Sequence, residues 1–365
     1  MDHRGIRHRG RRVPGLGSSD IRLESSMRAV IGAISYVLPE RVLTNEELAA
    51  AFPGWTVDKI ASKTGIEQRH IAAPEECSSD LAVAAARKLF AESGIGPDEV
   101  DYVLFCTQSS DYFLPATACL IQHRLGIPIS SGAIDFNQGC SGFVVGLGLA
   151  KGLIETGQAR RVLLLTAETY SKFIHPADRS IRTLFGDAAA ATFVESSEDA
   201  GQEPGIGPFV YGTDGSGAQN LIVPRGGMRQ RILSTAEPVE DEQGNIRTEN
   251  DLRMNGAEIF NFTLRTIPPV VQQLLIKARL DLDAVDLFVF HQANHYMLEH
   301  LRRKLSIQKS KFRIHLRDCG NTVSSTIPIA LKSALDEGAL QSGQRVMVVG
   351  FGVGYSWAAA LLCWR

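Results

Sequence analysis

Unbroken apolar runs, rather than strict alternation, dominate this chain. Ala29-Val30-Ile31-Gly32-Ala33-Ile34 is one such run, and Val162–Leu165 and Val346–Val349 are two more. Runs of this kind predict strands buried on both faces, as in a parallel sheet covered by helices. Between them, Ala82–Phe90, Phe143–Glu155 and Ile329–Leu335 place small or apolar residues at helical spacing. Strand, helix, strand order predicts an α/β fold. No run reaches the roughly 18 to 20 residues that span a bilayer, so no membrane role is expected.

The pattern repeats. Val100-Asp101-Tyr102-Val103-Leu104-Phe105-Cys106-Thr107 returns 185 residues later as Val285-Asp286-Leu287-Phe288-Val289-Phe290-His291-Gln292. Arg161-Val162-Leu163-Leu164-Leu165 returns 184 residues later as Arg345-Val346-Met347-Val348-Val349. Two pairs at nearly one offset point to duplication. The expected halves are 27–200 and 201–365, sharing one layered core. Ser196–Gly205 and Gly212–Gly217 read as loops, and the polar Ser234–Asn250 as a surface excursion. Residues 1–26 carry Arg4, Arg7, Arg9, Arg11, Arg12 and Arg22 without the apolar core of a secretory signal. They are expected to be a flexible basic extension, or residues ahead of a true start at Met27, in preference to a transit peptide.

Composition narrows the class. With 44% hydrophobic and 21% charged residues, the chain fits a soluble globular enzyme rather than a disordered one. A net charge of -2 gives no electrostatic case for nucleic-acid binding. Cysteines at 77, 106, 119, 140, 319 and 363 form no CxxC pair, zinc pattern or disulfide framework. No metal site is expected. Reduced thiols in a cytoplasmic protein are, most of them as small core residues.

Three segments hold candidate chemistry. Asp135-Phe136-Asn137-Gln138-Gly139-Cys140-Ser141-Gly142-Phe143 reads as a strand end, a tight turn and a helix start. A thiol there feels the positive end of the helix macrodipole. A free thiol of pKa about 8.5 is only a few per cent thiolate at pH 7, so this placement is expected to raise the nucleophilic fraction. The amides of such a turn also suit a developing oxyanion. A buried structural cysteine is the alternative. His291 ends a predicted buried strand, where α/β sheets collect functional residues, although a structural histidine fits equally. Asp318-Cys319-Gly320-Asn321 reads as a capped turn, and the duplication makes it the counterpart of the Cys140 turn. Gly350-Phe351-Gly352-Val353-Gly354 only superficially resembles a phosphate loop, since no Lys-Ser/Thr pair follows.

Together these segments resemble the ketoacyl-acyl-carrier-protein synthase III family of the thiolase superfamily. Further matching blocks are Lys63-Thr64-Gly65-Ile66, Arg69-His70-Ile71-Ala72, Phe185-Gly186-Asp187-Ala188-Ala189-Ala190 and Met254-Asn255-Gly256. The resemblance runs from Met27 through nearly the whole chain. It implies a five-layered αβαβα fold and a homodimer that works with acyl carrier protein. It places Cys140 on the acylated cysteine, and His291 and Asn321 on the pair that promotes decarboxylation of a malonyl thioester. It places the amides of Cys140 and Val353 on the oxyanion hole. Leu114 falls where the family bounds the partner's acyl pocket, and Arg179, Lys63 and Gly256 among positions that meet the donor's coenzyme A. The implied substrates are acyl-coenzyme A or acyl-carrier protein, and malonyl-carrier protein or malonyl-coenzyme A. No tightly bound cofactor is implied.

Three positions depart from the family pattern. Lys59 stands where a tryptophan commonly stacks on adenine, Tyr296 replaces an arginine that meets the carrier, and Ala257 replaces an asparagine of the pantetheine channel. These departures weigh against coenzyme A and leave it and a carrier protein both open as donor; Arg302, Arg303 and Lys304 fit either a face for an acidic carrier or a solvated basic face equally. Leu114 is smaller than the aromatic residue of acetyl-specific members, so a medium-chain or longer primer is expected. The alternatives are an acyltransferase to an alcohol or amine without decarboxylation, a type III polyketide synthase, and a non-catalytic dimer partner. A proline usual at the place of Val353 is missing for the second, and the intact catalytic residue types oppose the last.

Overall fold

The computed structural model describes residues 27–197 and 205–365. The basic segment 1–26, and 198–204 of the expected loop, lie outside the described residues. Two five-stranded sheets form the frame. The first runs in the order β1 (Arg28–Val37), β7 (Ala188–Ser197), β6 (Arg161–Glu168), β4 (Tyr102–Cys106) and β5 (Gly132–Phe136). The second runs β8 (Ile206–Thr213), β16 (Ser356–Cys363), β15 (Arg345–Gly352), β13 (Leu287–Phe290) and β14 (Phe312–Arg313). Strand by strand the orders correspond. The repeated sequence segments become β4 and β13, and β6 and β15.

The sheets are mixed, which corrects the all-parallel expectation. β4 pairs in parallel with β5 and β6, and β13 with β14 and β15. β7 and β1 run antiparallel, as do β16 and β8. Continuous apolar runs report burial on both faces, and antiparallel strands covered by helices satisfy that equally.

Burial on both faces follows from three helical layers. α5 (Gly142–Glu155) and α8 (Thr326–Asp336) lie between the sheets. Their Leu147, Ile154, Ile327 and Leu331 pack with Val162 and Leu164 of one sheet and Val346 and Val348 of the other. Outside the first sheet, α3 (Ser78–Ser93) and α4 (Thr117–Leu125) set Leu89 and Ile121 against Leu163 and Leu165. Outside the second, α6 (Gly256–Ala278) and α7 (His295–Lys304) set Leu274 and Leu298 against Phe288 and Met347. Along β6, alternate residues thus enter different cores, as the two-residue period of a strand requires. The result is a five-layered αβαβα fold.

The remaining elements are short. α1 (Asn45–Ala51) and α2 (Val57–Thr64) flank the ribbon of β2 (Arg41–Thr44) and β3 (Gln68–Ile71). The Thr56 hydroxyl accepts from Lys59 N to start α2, and Gly65 ends it at φ 74°. β9 (Leu221–Ile222) pairs with β12 (Arg253–Met254), and β10 (Val239–Glu240) with β11 (Ile246–Arg247). The last pair shapes the expected surface excursion. Gly212 and Thr213 complete β8, so the loop expected from 212 begins later. Among the described residues, no helix is long and apolar enough to cross a membrane.

Placement of α5 in the central layer has a measurable consequence. Leu147→Ala is expected to cost about 2–5 kcal/mol, the range for truncating a buried leucine. Ile276→Ala, at a side chain 76% exposed, is expected to stay within about 0.5 kcal/mol. Urea unfolding checks both, and equal losses would contradict the layering.

Candidate active site

The chain reaches Cys140 through a turn that only small backbone fits. β5 ends at Phe136, and Gly139 packs against the Val353 side chain. A Cβ on Gly139 would sit 2.7 Å from Gln108 Oε1. On the facing strand, a Cβ on Gly352 would sit 2.8 Å from Cys140 Sγ. Both glycines let the two halves close around the sulfur. Cys140 itself is buried, and α5 starts just after it. The Val353 amide is directed at the sulfur.

His291 follows β13 directly. Its N–H donates to the Val349 carbonyl at 2.8 Å, which fixes the backbone. Its ring stands edge-on to Phe351, with centroids 5.6 Å apart. Nδ1 lies 2.8 Å from the Thr326 hydroxyl at the start of α8, leaving Nε2 for the cavity. Asn321 is pinned between two amides: its N–H donates to Leu184 O at 2.9 Å, and its carbonyl accepts from Gly186 at 3.0 Å. Its Oδ1 accepts from Val323 N at 3.0 Å, so the side-chain NH2 is left for the cavity. Val323 holds φ 53°, a costly value for a β-branched residue. Cys140, His291, Asn321 and Gly256 line one cavity of about 150 Å³.

Comparison with known proteins bears on this geometry. Residues 134–215 match the description 3-Oxoacyl-[acyl-carrier-protein (ACP)] synthase III, and residues 275–364 match its C terminal part. The β-ketoacyl-[acyl-carrier-protein] synthase III of Caldanaerobacter subterraneus subsp. tengcongensis is 34% identical over 93% of this chain and 99% of its own. The chain belongs to the 3-oxoacyl-[acyl-carrier-protein] synthase III family. A solved 3-oxoacyl-(acyl-carrier-protein) synthase III is 54% identical with a TM-score of 0.90, over 92% of this chain and all of that one. The 3-oxoacyl-(acyl-carrier protein) synthase of Burkholderia xenovorans LB400 is 37% identical with a TM-score of 0.84, over 92% and 94%. The protein is thus a condensing acyltransferase of thiolase fold, from a family that uses acyl and malonyl thioesters and works with acyl carrier protein.

In this synthase burial sets the charge state of the site. The Cys140 thiol is pushed up to about 12 by burial, against the opposing pull of the Val353 amide. Burial likewise lowers His291 to about 3. The resting pair is neutral thiol and neutral imidazole. That corrects the expectation of a partly ionised thiol: desolvation outweighs a helix terminus. Glu168, fully buried beside the site, is raised to about 8 by burial despite donors from Gln108 N, Ser109 and Ser324. Near neutrality it keeps negative charge away from the sulfur.

Other expected residues lie apart from the triad's cavity. Leu114 is 82% exposed, on a loop with exposed Tyr112 and Phe113. Arg179 donates to the Gln243 carbonyl. Lys59 and Lys63 each stand 5.3 Å from the Trp55 ring, so an aromatic residue sits one turn before the position where one was missed. Tyr296 stacks on Phe260 and lies tilted against His300. On the expected basic face Arg302 pairs with Glu299 at 2.9 Å and Arg303 with the same carboxylate at 3.6 Å, while the exposed Lys304 donates to the Leu264 carbonyl. Among the described residues every cysteine is free. Three are buried, fewer than the expected majority.

Three residues beside the cysteine went unnoticed in the sequence: Gln108, Glu168 and Tyr170. Gln108 and Tyr170 line a second cavity of about 730 Å³, which shares Leu221 with the first. All three stand at or just beyond the carboxyl ends of β4 and β6, where the strand-end rule directs attention.

The neutral thiol predicts a pH response. Alkylation of Cys140 by iodoacetamide, read on its own peptide by mass spectrometry, is expected to rise about tenfold per pH unit from 7 to 9.5. The thiolate fraction grows throughout, because the folded pKa lies above this window. A plateau beginning below pH 8 would contradict burial control of the thiol.

Proposed function

We propose that this synthase loads an acyl primer onto Cys140 and condenses it with a malonyl thioester to give a β-ketoacyl thioester. The convergence of Cys140, His291 and Asn321 on one cavity, with the Val353 amide directed at the sulfur, carries this reading. The two halves, 27–200 and 201–365, divide the work: the first supplies the nucleophile and the second the histidine and asparagine.

The chemistry follows from the geometry. Sulfur attacks the primer thioester carbonyl as the thiol proton passes to the sulfur of the departing carrier, His291 staying neutral with its Nε2–H toward the cavity. The Cys140 and Val353 amides stabilise the tetrahedral oxyanion. The carrier leaves as its thiol, taking that proton, and the acyl group stays on sulfur. A malonyl thioester enters, and His291 and Asn321 donate hydrogen bonds to its carbonyl. Carbon dioxide departs with the electron pair of the broken bond left on the enolate. The enolate carbon attacks the acyl-cysteine, and the expelled thiolate regains a proton from water. No metal, redox group or tightly bound cofactor is required by these steps.

The reading is of a cytoplasmic homodimer, and the edge of the first sheet supports the pairing. β5 is the terminal strand of its sheet, and Ile134 on it is exposed beside the protruding Tyr112, Phe113 and Leu114. An apolar sheet edge of this kind favours pairing with a second copy. Leu114 then bounds the partner's larger cavity, whose volume suits a medium-chain or longer primer. With Lys59, Tyr296 and Ala257 at the donor positions, an acyl carrier protein delivers the primer in preference to coenzyme A. Arg179, Lys63 and Gly256 then border the pantetheine route. The product enters fatty-acid or specialised lipid and secondary-metabolite synthesis.

Two measurements test this. Mass spectrometry of Cys140 after exposure to primers of rising length is expected to show acylation by medium or longer chains; acylation by acetyl alone would sink the primer assignment. Asn321→Ala is expected to keep acylation while malonyl-dependent carbon dioxide release falls about 10²–10³-fold, the scale for losing one donor to a developing oxyanion. Equal loss of both steps would remove Asn321 from the second step.

A further inference from the structure

The larger cavity beside Cys140 has two unlike walls. Leu221, Leu252, Phe173 and Val353 form an apolar one. The other carries a hydrogen-bonded chain: the Tyr170 hydroxyl donates to Gln108 Oε1 at 3.3 Å, and Gln108 Nε2 donates to Asn137 Oδ1 at 3.2 Å. This chain runs close to the reacting sulfur. Gln108 Oε1 abuts Gly139, the residue before Cys140, on the side of the Val353 side chain. Tyr170 belongs to the same buried cluster as Cys140 and packs on Phe173 and Phe185, which hold its ring still.

Counting donors and acceptors shows what the chain lacks. The Tyr170 oxygen has lone pairs left, Gln108 has a second Nε2 hydrogen, and both Asn137 amide hydrogens are unused among the described residues. A hydrocarbon primer would cover these groups and exclude water while offering no partner. Covering polar groups without a partner costs free energy. A primer oxygen placed a few bonds from the thioester would both donate to Tyr170 and accept from Gln108 or Asn137. The apolar wall takes the rest of the chain.

We propose that Gln108 and Tyr170 set primer specificity, selecting an acyl group with an oxygen substituent near the thioester, as in a 3-hydroxyacyl chain. This rests on the reading of Cys140 as the acylated residue and extends it to the chemistry of the acyl group. Because the chain is already internally bonded, the gain is that of about one additional hydrogen bond, near tenfold in rate. The apolar wall still admits a saturated chain, so selection is by ratio and not by exclusion.

The test compares kcat/KM for acylation of Cys140 by 3-hydroxyoctanoyl and octanoyl thioesters on the same carrier. The full-length enzyme is expected to favour the hydroxylated primer about tenfold. Tyr170→Phe and Gln108→Met are each expected to bring the ratio below about threefold. Melting curves confirm that both variants fold, and either variant alone suffices if the other does not. A wild-type ratio of one or less, or a ratio unchanged in the folded variants, overturns the assignment. Failure of both primers to label Cys140 would instead overturn the acyl-enzyme reading beneath it.

Discussion

Buried hydroxyl pairs between the halves fix the site. Ser141, at the start of α5, lies 2.8 Å from Ser356 on β16. Ser325, at the start of α8, lies 2.9 Å from Thr166 on β6. Each central helix is thus tied at its N-terminus to a strand of the opposite half. Such a bond contributes only about 1 kcal/mol net, but each pair is braced by a further contact: Gln138 Oε1 lies 3.1 Å from Ser141 Oγ and 3.2 Å from Ser356 Oγ, and Ser325 Oγ lies 3.1 Å from the Thr166 carbonyl. Sliding one half along the other is therefore resisted where Cys140 and Asn321 sit. The two turns share a spacing, Asn137 three residues before Cys140 in one and Asn321 three before Ser324 in the other, each followed by a serine. In the proposed reading, duplication supplied the frame, and divergence put the nucleophile on one turn and the functional amide on its counterpart.

That closeness has an electrostatic consequence. Packing the turns together leaves little water, so the site favours neutral forms of cysteine, histidine and even Glu168. In the proposed mechanism the Cys140 thiol is not stored as a thiolate, and its proton moves only when a thioester carbonyl accepts the sulfur and the amides donate to the oxyanion. Charge appears in the transition state, where fixed donors act most strongly. An empty site of this kind is poorly reactive, which protects the thiol between turnovers.

Much of the fold was legible in the sequence, because doubly buried strands leave unmistakable runs and the 184–185 residue offset marks both halves. Strand direction was not legible: Ala188–Ser197 is as apolar as a parallel strand, yet pairs antiparallel on both sides. Cys140, His291 and Asn321 were visible through their turns and their places at element ends. The protonation of Cys140 was not, since it depends on how tightly Gly139 and Gly352 let distant segments close. Tyr170 and Gln108 look ordinary along the chain and gain meaning only where the fold bonds them to each other on one wall of a cavity. The chain does not reveal that Glu299, one turn before Arg302 and Arg303, pairs with both.

In the proposed mechanism the acyl group rests on Cys140 between two separate steps. A single-turnover chase tests it most directly. Enzyme acylated with a carbon-13-labelled primer is freed of unbound primer and mixed with unlabelled malonyl thioester. The account predicts one equivalent of β-ketoacyl product per acylated Cys140, carrying the label and released together with carbon dioxide. Product that forms only when free primer is restored, or label that remains on the enzyme, would contradict it.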